Sequence, residues 1–385
     1  ARMEGLEEPL ARMIETAYVN EAARAVTAAM VSRGEKPSVI SALMKYQTTE
    51  RMRRAVNDAM DLHGGRGICD GPSKYLQAAY QAVPISITVE GANILTRTLI
   101  AFAQGALRSH PYLIREIQAC QDPDRRRGHA AFDTAFCSHI SFAVGNLFGA
   151  LFHNLTVGAF ARAPERADGY RALSRASRNF AFVADMAVAL LGGGLKTRQK
   201  ITGRLADALS ELYLLSCTLK RYEDDGKPVE DRSIVAFAAA NGLYRFQEAL
   251  RGAIDNFPNT PARWLMRLVV FPLGRLTRHI FVSKDPHDPT GLLEVTLAKV
   301  IEAEDAEKKL DRAVRAGQVH RYHNNDWIGE AQHKGILTES EALLLREAEA
   351  LTARVIAVDS FDPSEVKPHY MAAGHNTRAV EAAAE

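Results

Sequence analysis

The sequence predicts an all-α protein, an antiparallel helical bundle followed by a helical C-terminal extension. Apolar side chains recur every three or four positions over most of the 385 residues, as expected of helices that each bury one face. The sequence lacks stretches with the strict apolar–polar alternation of half-buried strands. The breaks between periodic stretches are short and carry Gly, Pro and Asp, which gives the connections that antiparallel helices need.

Composition places the chain among soluble globular proteins. Hydrophobic residues make up 47% and the formal net charge is +2, so a large core is possible and there is no electrostatic case for nucleic-acid binding. The four cysteines are scattered without a C-x-x-C pair, which fits a reducing cytoplasm. No uninterrupted apolar run reaches the ~18 residues of a membrane span. We expect a cytoplasmic protein, with at most a peripheral contact with the inner membrane.

The first 111 residues form the predicted bundle. Apolar side chains at helical spacing run from Leu10, Gly34 is a suitable C-cap, and Pro37 allows a second helix to begin. One face of that helix is apolar, and Arg51 is expected to lie largely off it. The apolar positions are Ile40, Met44, Met52, Val56 and Met60, and the arginines kept off the face are Arg51, Arg53 and Arg54. Because helical periodicity begins almost at Ala1 without a capping signal, we expect a piece of a longer chain.

Two shorter helices complete the bundle, and the extension covers residues 112–385. The first should run from about Ser73 to Gln81 and stop before Pro84, and the second from Asn93 to about Leu107. Further helices are expected near residues 112–120, 130–160, 168–191, 197–222, 231–255 and 262–279. Residues 283–291, rich in Pro, Asp and Gly, predict a surface loop.

The last predicted helix begins at a capping box. Thr338 is followed three residues later by Glu341, the pattern in which side chain and backbone bond each other reciprocally. Apolar positions then fall on one face, at Leu344, Ala348, Leu351 and Val355. The periodicity is lost after Pro363, so the tail should fray.

Glu90 is a lone acid in an apolar stretch. Ile87 and Val89 precede it, and Ile94 and Leu95 follow. Enclosure among such side chains would raise the pKa of the carboxyl and make the carboxylate a stronger base. Gly91 would let the backbone approach a ligand. On spacing alone, the pattern favours an ordinary glutamate stabilised by the dipole at a helix N-terminus.

The glycine cluster in "DLHGGRG", Asp61 to Gly67, is a second candidate. Its backbone N–H groups could approach a phosphate, but the cluster follows a helix, so it is not a dinucleotide-binding fingerprint. A plain helix-ending turn explains the same residues.

Taken together, these motifs resemble the C-terminal helical domain of acyl-CoA dehydrogenases. That domain carries a G-G-x-G turn, about two dozen further residues, an E-G-[TS] motif, and an Arg seven residues after the Glu. The matching residues are Gly64, Gly65, Gly67, Glu90, Gly91 and Arg97. The wider run, including "LYLLSCTLKRYEDDG", "FPLGR" and "FDP", is similar to the long bacterial type of this family over essentially the whole chain.

The resemblance implies a role for each matching residue. Glu90 matches the base that removes the α-proton of an acyl-CoA thioester while a hydride leaves the β-carbon for FAD, and Gly91 matches a substrate contact. The positions that match cofactor contacts are Asp61, Leu62, His63, Gly64, Gly65, Ala92, Asn93 and Ile94. Family members have Gln and Thr or Ser where this chain has Asp61 and Ala92.

The resemblance also implies partners, and an alternative remains. FAD would be the cofactor, acyl-CoA the substrate, and an electron-transfer flavoprotein a suitable acceptor, with a homo-oligomer as the assembled form. The family's N-terminal and middle domains have no counterpart in these residues, so the fragment alone should be inactive. A non-catalytic helical scaffold or oligomerisation module is the alternative. Metal ligands are not predicted, because His320 and His323 have no acidic or cysteine partner at a suitable offset.

Overall fold

The computed structural model describes residues 4–69, 76–105, 109–161, 168–274 and, nearer the C-terminus, 309–310, 312–314, 316–319, 326–343 and 345–346. The described residues contain helices and turns and no strand, which confirms the all-α class. Two compact units divide the chain. The first comprises residues 1–55 and 83–296, and the second comprises residues 56–82 and 297–385.

Most of the helices belong to the first unit. In chain order the α-helices are α1 (Glu4–Ser32), α2 (Ser38–His63), α3 (Leu76–Thr88), α4 (Asn93–Leu95), α5 (Leu113–Cys120), α6 (Arg125–Leu155), α7 (Asp168–Leu191), α8 (Gln199–Asp224), α9 (Arg232–Asp255), α10 (Thr260–Val270) and α11 (Trp327–His333). Helices α2 and α3 each begin in one unit and end in the other. A π-helix, Thr96–Gln104, continues α4, and short 3-10 helices occupy Gly64–Ile68, Gly192–Lys196 and Val229–Asp231.

The helix boundaries follow local chemistry. Gly34 ends α1 with φ +82°, a left-handed conformation that glycine adopts without strain. Asp124 caps α6 by accepting from the N–H groups of Arg126 and Arg127, and Asn259 caps α10 by accepting from that of Ala262. The helices predicted from 112 to 255 are therefore confirmed within a few residues. The helix predicted over 262–279 ends at Val270.

Helix α3 does not stop before Pro84. It runs on to Thr88 with the proline inside, so the predicted end near Gln81 is wrong. A proline removes only its own N–H donor from the hydrogen-bond ladder. The hydroxyl groups of Ser86 and Thr88 bond carbonyls of the preceding turn, and Val89 N–H still donates to the carbonyl of Ile85 at 3.0 Å. The apolar run read as preceding a helix is thus the last turn of one.

Helix α8 is the centre of the first unit. It packs against α1, α7, α9 and the π-helix, and 14 of its 26 residues are buried. The main core cluster joins α8 to side chains from other helices, among them Phe102, Phe182, Leu250 and Met266. Residues on both sides of position 111 contribute to this core. The domain boundary expected at position 111 stays a prediction.

A buried ion cluster crosses the same core. Glu15 of α1 and Glu211 of α8 face Arg51 of α2 and Arg245 of α9, with N–O distances of 2.5 to 3.5 Å. Arg51 was expected to lie off the buried face, and that prediction is wrong because two acids from other helices compensate its charge. Arg53 and Arg54 are exposed as expected. Burial opposes the ionised form of Glu15, yet Arg245 and Arg51 hold the pKa of this carboxyl below its usual value.

The second unit has its own small core. A cluster of buried apolar residues includes Leu310, Val319, Ile328 and Leu337. The capping box is confirmed, since Thr338 N–H donates to Glu341 Oε2 at 2.9 Å and Glu341 N–H donates to Thr338 Oγ1 at 3.3 Å. The other predictions for the C-terminal region lie outside the described residues. They concern residues 283–291, His320, His323, Leu344, Ala348, Leu351, Val355 and the tail after Pro363.

Within the part of the chain that the structure describes, two helical segments are long and apolar enough to cross a membrane by length and composition, α6 and Gly169–Lys196. Polar residues interrupt α6, so it holds no uninterrupted apolar run of the kind considered in the sequence, but its arginines gather at Arg125–Arg127 and Asp133 is the single acid that follows them. In the most apolar 18-residue stretch of each segment, 11% of the residues are buried in α6 and 33% in Gly169–Lys196. Much of α6 therefore presents apolar side chains outward.

Candidate active site

Glu90 lies in a tight turn between α3 and α4. Its φ is +58°, and the φ of Gly91 is +99°. A non-glycine residue adopts the left-handed region at a cost of roughly 1–2 kcal/mol, so the surrounding structure must hold it there. A side chain at position 91 would find room, since the nearest atom to an added Cβ is Thr96 Oγ1 at 3.7 Å. The glycine is therefore required by its backbone angle.

Helix α2 holds this turn in place. Lys45 Nζ donates to the carbonyl oxygen of Gly91 and to Asn93 Oδ1, both at 2.7 Å. Asn93 Nδ2 in turn donates to Thr49 Oγ1 at 2.9 Å and to Glu50 Oε1 at 3.0 Å. These bonds cross 43 to 48 positions of sequence. The buried amide of Asn93 thus fastens the residues that follow Glu90 to one face of α2.

The Glu90 side chain is exposed. Four large apolar side chains beside it in the chain are exposed as well. They are Ile85, Val89, Leu95 and Ile94, with exposed fractions of 61%, 49%, 45% and 78%. The expectation of apolar neighbours is therefore confirmed, whereas the expectation that they enclose the carboxylate is wrong for this chain. The sequence specifies which side chains are near, but enclosure needs atoms on the other side of the carboxylate.

The π-helix after the turn is fastened to α8. Arg97 donates two hydrogen bonds to Asp207, from Nε to Oδ1 at 2.7 Å and from Nη2 to Oδ2 at 2.5 Å. The guanidinium crosses α8 at Gly203, where an added Cβ would lie 2.8 Å from Arg97 Nη1. Thr202 Oγ1 donates to the carbonyl of Thr98 at 2.6 Å. Insertions of the π type into helices often occur at functional sites.

Tyr46 joins α2 to the same acid. Its hydroxyl lies 3.3 Å from Asp207 Oδ1 and 2.6 Å from Ser210 Oγ. Burial raises the pKa of Tyr46, so this hydroxyl stays protonated and can donate. The turn of Glu90 is therefore fixed on one side by α2 and on the other by α8 through Arg97.

The glycine turn belongs to the second unit. Gly64 ends α2 with φ +57°, and a Cβ added at Gly64 or Gly65 would meet nothing within 4 Å. Asp61, His63, Gly64 and Gly65 are exposed and Leu62 is half-buried. His63 Nδ1 lies 2.7 Å from the carbonyl of Ala59. The exposed backbone at Gly64 and Gly65 leaves room for a ligand group to approach.

The residues predicted to contact FAD fit that role unequally. Ala92 and Ile94 are exposed and offer backbone and apolar surface, and no side chain caps the helix at Ala92. Asn93 is 7% exposed and its amide is fully used by Lys45, Thr49 and Glu50. A contact from Asn93 to a flavin would therefore have to come from its backbone. The other matched residues, each within its own unit, leave backbone or side-chain surface exposed, apart from the half-buried Leu62.

Sequence reasoning missed the residues that position the turn. Lys45 and Thr49 lie one helical turn apart on α2, so their shared face was a usable signal. Asp207 gave no such signal, because its partner Arg97 is 110 residues away. Long-range polar partners of this kind follow from the packing of helices.

Comparisons with known proteins agree with this architecture. The family described as "Acyl-CoA dehydrogenase, C-terminal domain" matches residues 1–104. The family described as "Acyl-CoA dehydrogenase, C-terminal, bacterial type" matches residues 107–279 and 273–361. The chain therefore belongs to the acyl-CoA dehydrogenase family, through the C-terminal domains of its bacterial type.

A solved structure shares the fold. It is an acyl-CoA dehydrogenase complexed with FAD from Bacillus anthracis, with a TM-score of 0.58 and 15% sequence identity. The match covers 77% of this chain and 49% of that one. The chain thus spans about half the length of this solved relative.

Proposed function

We propose that this chain is the C-terminal part of a FAD-dependent acyl-CoA dehydrogenase that oxidises acyl-CoA to trans-2-enoyl-CoA in fatty-acid β-oxidation. Glu90 is the base that removes the α-proton. The observation that carries the proposal is the turn itself. A carboxylate with φ +58° is held by Lys45 and Asn93 and stands among exposed apolar side chains.

The strained backbone fits a functional role. Conformations in the left-handed region persist where the surrounding structure imposes them, and they cluster at active sites. Here the bond from Lys45 to the carbonyl of Gly91 fixes the residue after the carboxylate. A fixed carboxylate can be aimed at one C–H bond, and such positioning contributes strongly to rate. The backbone N–H of Glu90 would hold the thioester carbonyl, a contact that acidifies the α-carbon.

The exposed apolar side chains explain how the base would be made strong. Ile85, Val89, Ile94 and Leu95 would be covered by the acyl group and by the rest of the enzyme. Covering them removes water from Glu90, which favours proton transfer to the carboxylate and protects the developing enolate. In this chain by itself the Glu90 carboxylate is exposed to water, which is consistent with the fragment being inactive.

FAD, when bound, supplies the acceptor for the β-hydride. In the second unit, Gly64 and Gly65 would approach a flavin through their backbone, beside Asp61, Leu62 and His63. In the first unit, Ala92 and Ile94 would contact a flavin after the turn. Electrons would then pass to an acceptor such as an electron-transfer flavoprotein, and the enzyme would be a homo-oligomer. These partners belong to the same proposal.

The decisive experiment uses the intact enzyme with the substitution Glu90→Gln. Removing a general base lowers the rate by about 10² to 10⁴-fold, so acyl-CoA-dependent bleaching of the flavin should be lost while FAD stays bound. Glu35→Gln is the matched control, because Glu35 is also exposed and has no role in the proposal. Equal bleaching in both variants would contradict the proposal and favour the non-catalytic scaffold.

We also propose that α6 rests on the surface of the inner membrane from the cytoplasmic side. Six apolar side chains at intervals of three or four residues are exposed along it: Phe136, Ile140, Val144, Phe148, Phe152 and Leu155. Helix α10 packs against α6 and exposes Trp264 and Leu268, with Arg263 and Arg267 adjacent in sequence. Apolar residues with Trp and Arg are typical of helices that lie in the interface of an anionic bilayer.

A further inference from the structure

The fold brings together three potential metal ligands that are far apart in sequence. His110 precedes α5, His139 lies on α6 and Asp185 lies on α7. One ligand atom from each residue lies within 4.8 Å of the others. These residues are not part of the proposed active site, and no spacing rule connects them.

Asp185 carries the clearest sign of a missing partner. Its side chain is 8% exposed, and Oδ1 lies 2.8 Å from His110 Nε2. The other oxygen, Oδ2, is buried and has no hydrogen-bond partner. A buried acceptor without a partner costs about 1–3 kcal/mol, and more when it is charged. A cation beside Oδ2 would remove this penalty.

His139 is oriented in the way that metal-bound histidines are. Its Nδ1 lies 2.8 Å from Glu116 Oε1, which fixes the proton on Nδ1 and leaves Nε2 for a metal. The ring stacks on Tyr112 at a centroid distance of 5.6 Å and lies 4.6 Å from the ring of His110. Phe142 packs against His110 at 6.2 Å. The imidazoles are thus held before any ligand arrives.

His110 must change tautomer to bind. Its Nδ1 accepts from the backbone N–H groups of Tyr112 and Leu113 at 3.3 and 3.2 Å, so the ring proton is on Nε2 and faces Asp185. When a metal takes Nε2, the proton moves to Nδ1 and both contacts are lost. The loss is small, because they are long and Tyr112 and Leu113 stand at the start of α5, where water can satisfy the free N–H groups.

Access to the cluster is available from a cavity. His110 and Asp185 line a cavity of about 230 Å³, together with Ser109 and Ser177. It has room for a water on an open coordination position. Apolar side chains such as Phe102 and Val188 form other parts of its wall, so the surroundings strengthen the attraction between a cation and Asp185.

We propose that His110, His139 and Asp185 bind one divalent cation of the zinc class, with Glu116 as a positioning residue for His139. Two imidazole nitrogens and one carboxylate oxygen form a ligand set typical of Zn²⁺, with water in the fourth position. The site would join the start of α5 to α6 and α7. None of the residues in the Glu90 turn takes part, so the metal site is separate from the proposed base.

The proposal is tested by metal content and by titration of the intact protein. Metal analysis after purification without chelators should find about one zinc per chain. Calorimetric titration of the chelator-treated protein with ZnCl₂ should give one saturable site, and Co²⁺ should give the visible absorption of a four-coordinate complex with nitrogen and oxygen ligands. Metal binding should also raise the unfolding temperature.

Variants separate this site from the chain's other histidines. Asp185→Asn and His139→Gln should each weaken Zn²⁺ binding by about 100-fold or more, and Glu116→Gln by about 10 to 100-fold, as found for outer-shell partners of metal sites. The matched control is His129→Gln. His129 is exposed and lies on α6, the helix that also carries His139, and this variant should bind Zn²⁺ like the parent. Circular dichroism establishes that each variant is folded. Absence of a saturable site in the parent, or equal binding by parent and His139→Gln, would overturn the proposal.

Discussion

Lys45 and Gly91 are joined by a 2.7 Å hydrogen bond across 46 positions of sequence. The bond ties the turn that carries Glu90 to the N-terminal half of α2, and the same ammonium group also bonds Asn93. The position of the proposed base therefore depends on a lysine that does not itself take part in the reaction.

Lys45→Met should loosen the turn of Glu90. The carbonyl of Gly91 and the amide oxygen of Asn93 would both lose their donor, which should destabilise the fold by about 1–3 kcal/mol. In the intact enzyme a misplaced base should lower kcat by about 10²-fold. Denaturant unfolding and flavin bleaching measure the two effects. The control is Lys36→Met, at an exposed position; the same decrease in both variants would contradict this role.

Gly203→Ala should disturb the contact between Arg97 and Asp207. An added Cβ would lie 2.8 Å from Arg97 Nη1 and 3.3 Å from Thr98 Cγ2, so the guanidinium must move away from its position on Asp207, at a cost of about 1–3 kcal/mol. Gly145→Ala on α6 is the opposite case, because an added Cβ there meets nothing within 4 Å. That variant should gain about 0.5–1 kcal/mol from helix propensity. Thermal unfolding of both would show whether the signs differ as expected.

Glu211→Gln should be strongly destabilising. Arg51 and Arg245 would each lose an ionised partner inside the fold, and breaking a buried ion pair costs about 3–5 kcal/mol. Asp224→Asn on the same helix removes an exposed pair with Lys220 and should change stability by less than about 1 kcal/mol. Urea unfolding distinguishes them, and similar midpoints would mean that the cluster contributes little.

Stability should decrease in acid because of Glu15. Arg245 and Arg51 hold the pKa of Glu15 in the folded protein below its ordinary value of 4.5, so the folded state binds fewer protons at this site than the unfolded state. The contribution is complete above pH 4.5 and is lost as the pH falls through the folded pKa. Unfolding free energy measured between pH 7 and pH 3 should fall less steeply in Glu15→Gln than in the parent. Parallel curves would show that Glu15 is not responsible.

Phe148→Ser combined with Phe152→Ser should weaken membrane contact. Both side chains are at least half exposed, so the change removes apolar surface without opening the core. Flotation with vesicles containing anionic lipid should decrease, by more than for the control Val229→Ser, whose side chain is exposed elsewhere. If flotation is unchanged and sedimentation velocity shows a smaller oligomer instead, the α6 face is a contact between copies of the chain.

How far the sequence predicted the fold and the site can be seen from four residues. Glu90 and Gly91 stand out locally, because a lone acid and a glycine lie between apolar runs, but their predicted roles come from the resemblance to the family. Arg51 was misplaced, since a charged residue on a helix is usually solvated and its two acids come from α1 and α8. Pro84 predicts a helix end, whereas the surrounding turns retain enough hydrogen bonds for α3 to continue to Thr88.

The sequence by itself determined the all-α class, most helix boundaries and the identity of the side chains around Glu90, because periodicity, caps and near neighbours are local properties. Tertiary structure alone decided that Lys45 holds the turn, that Arg97 meets Asp207, and that His110, His139 and Asp185 converge. Such contacts join residues tens to hundreds of positions apart, and their geometry exists only once the helices have packed into one core.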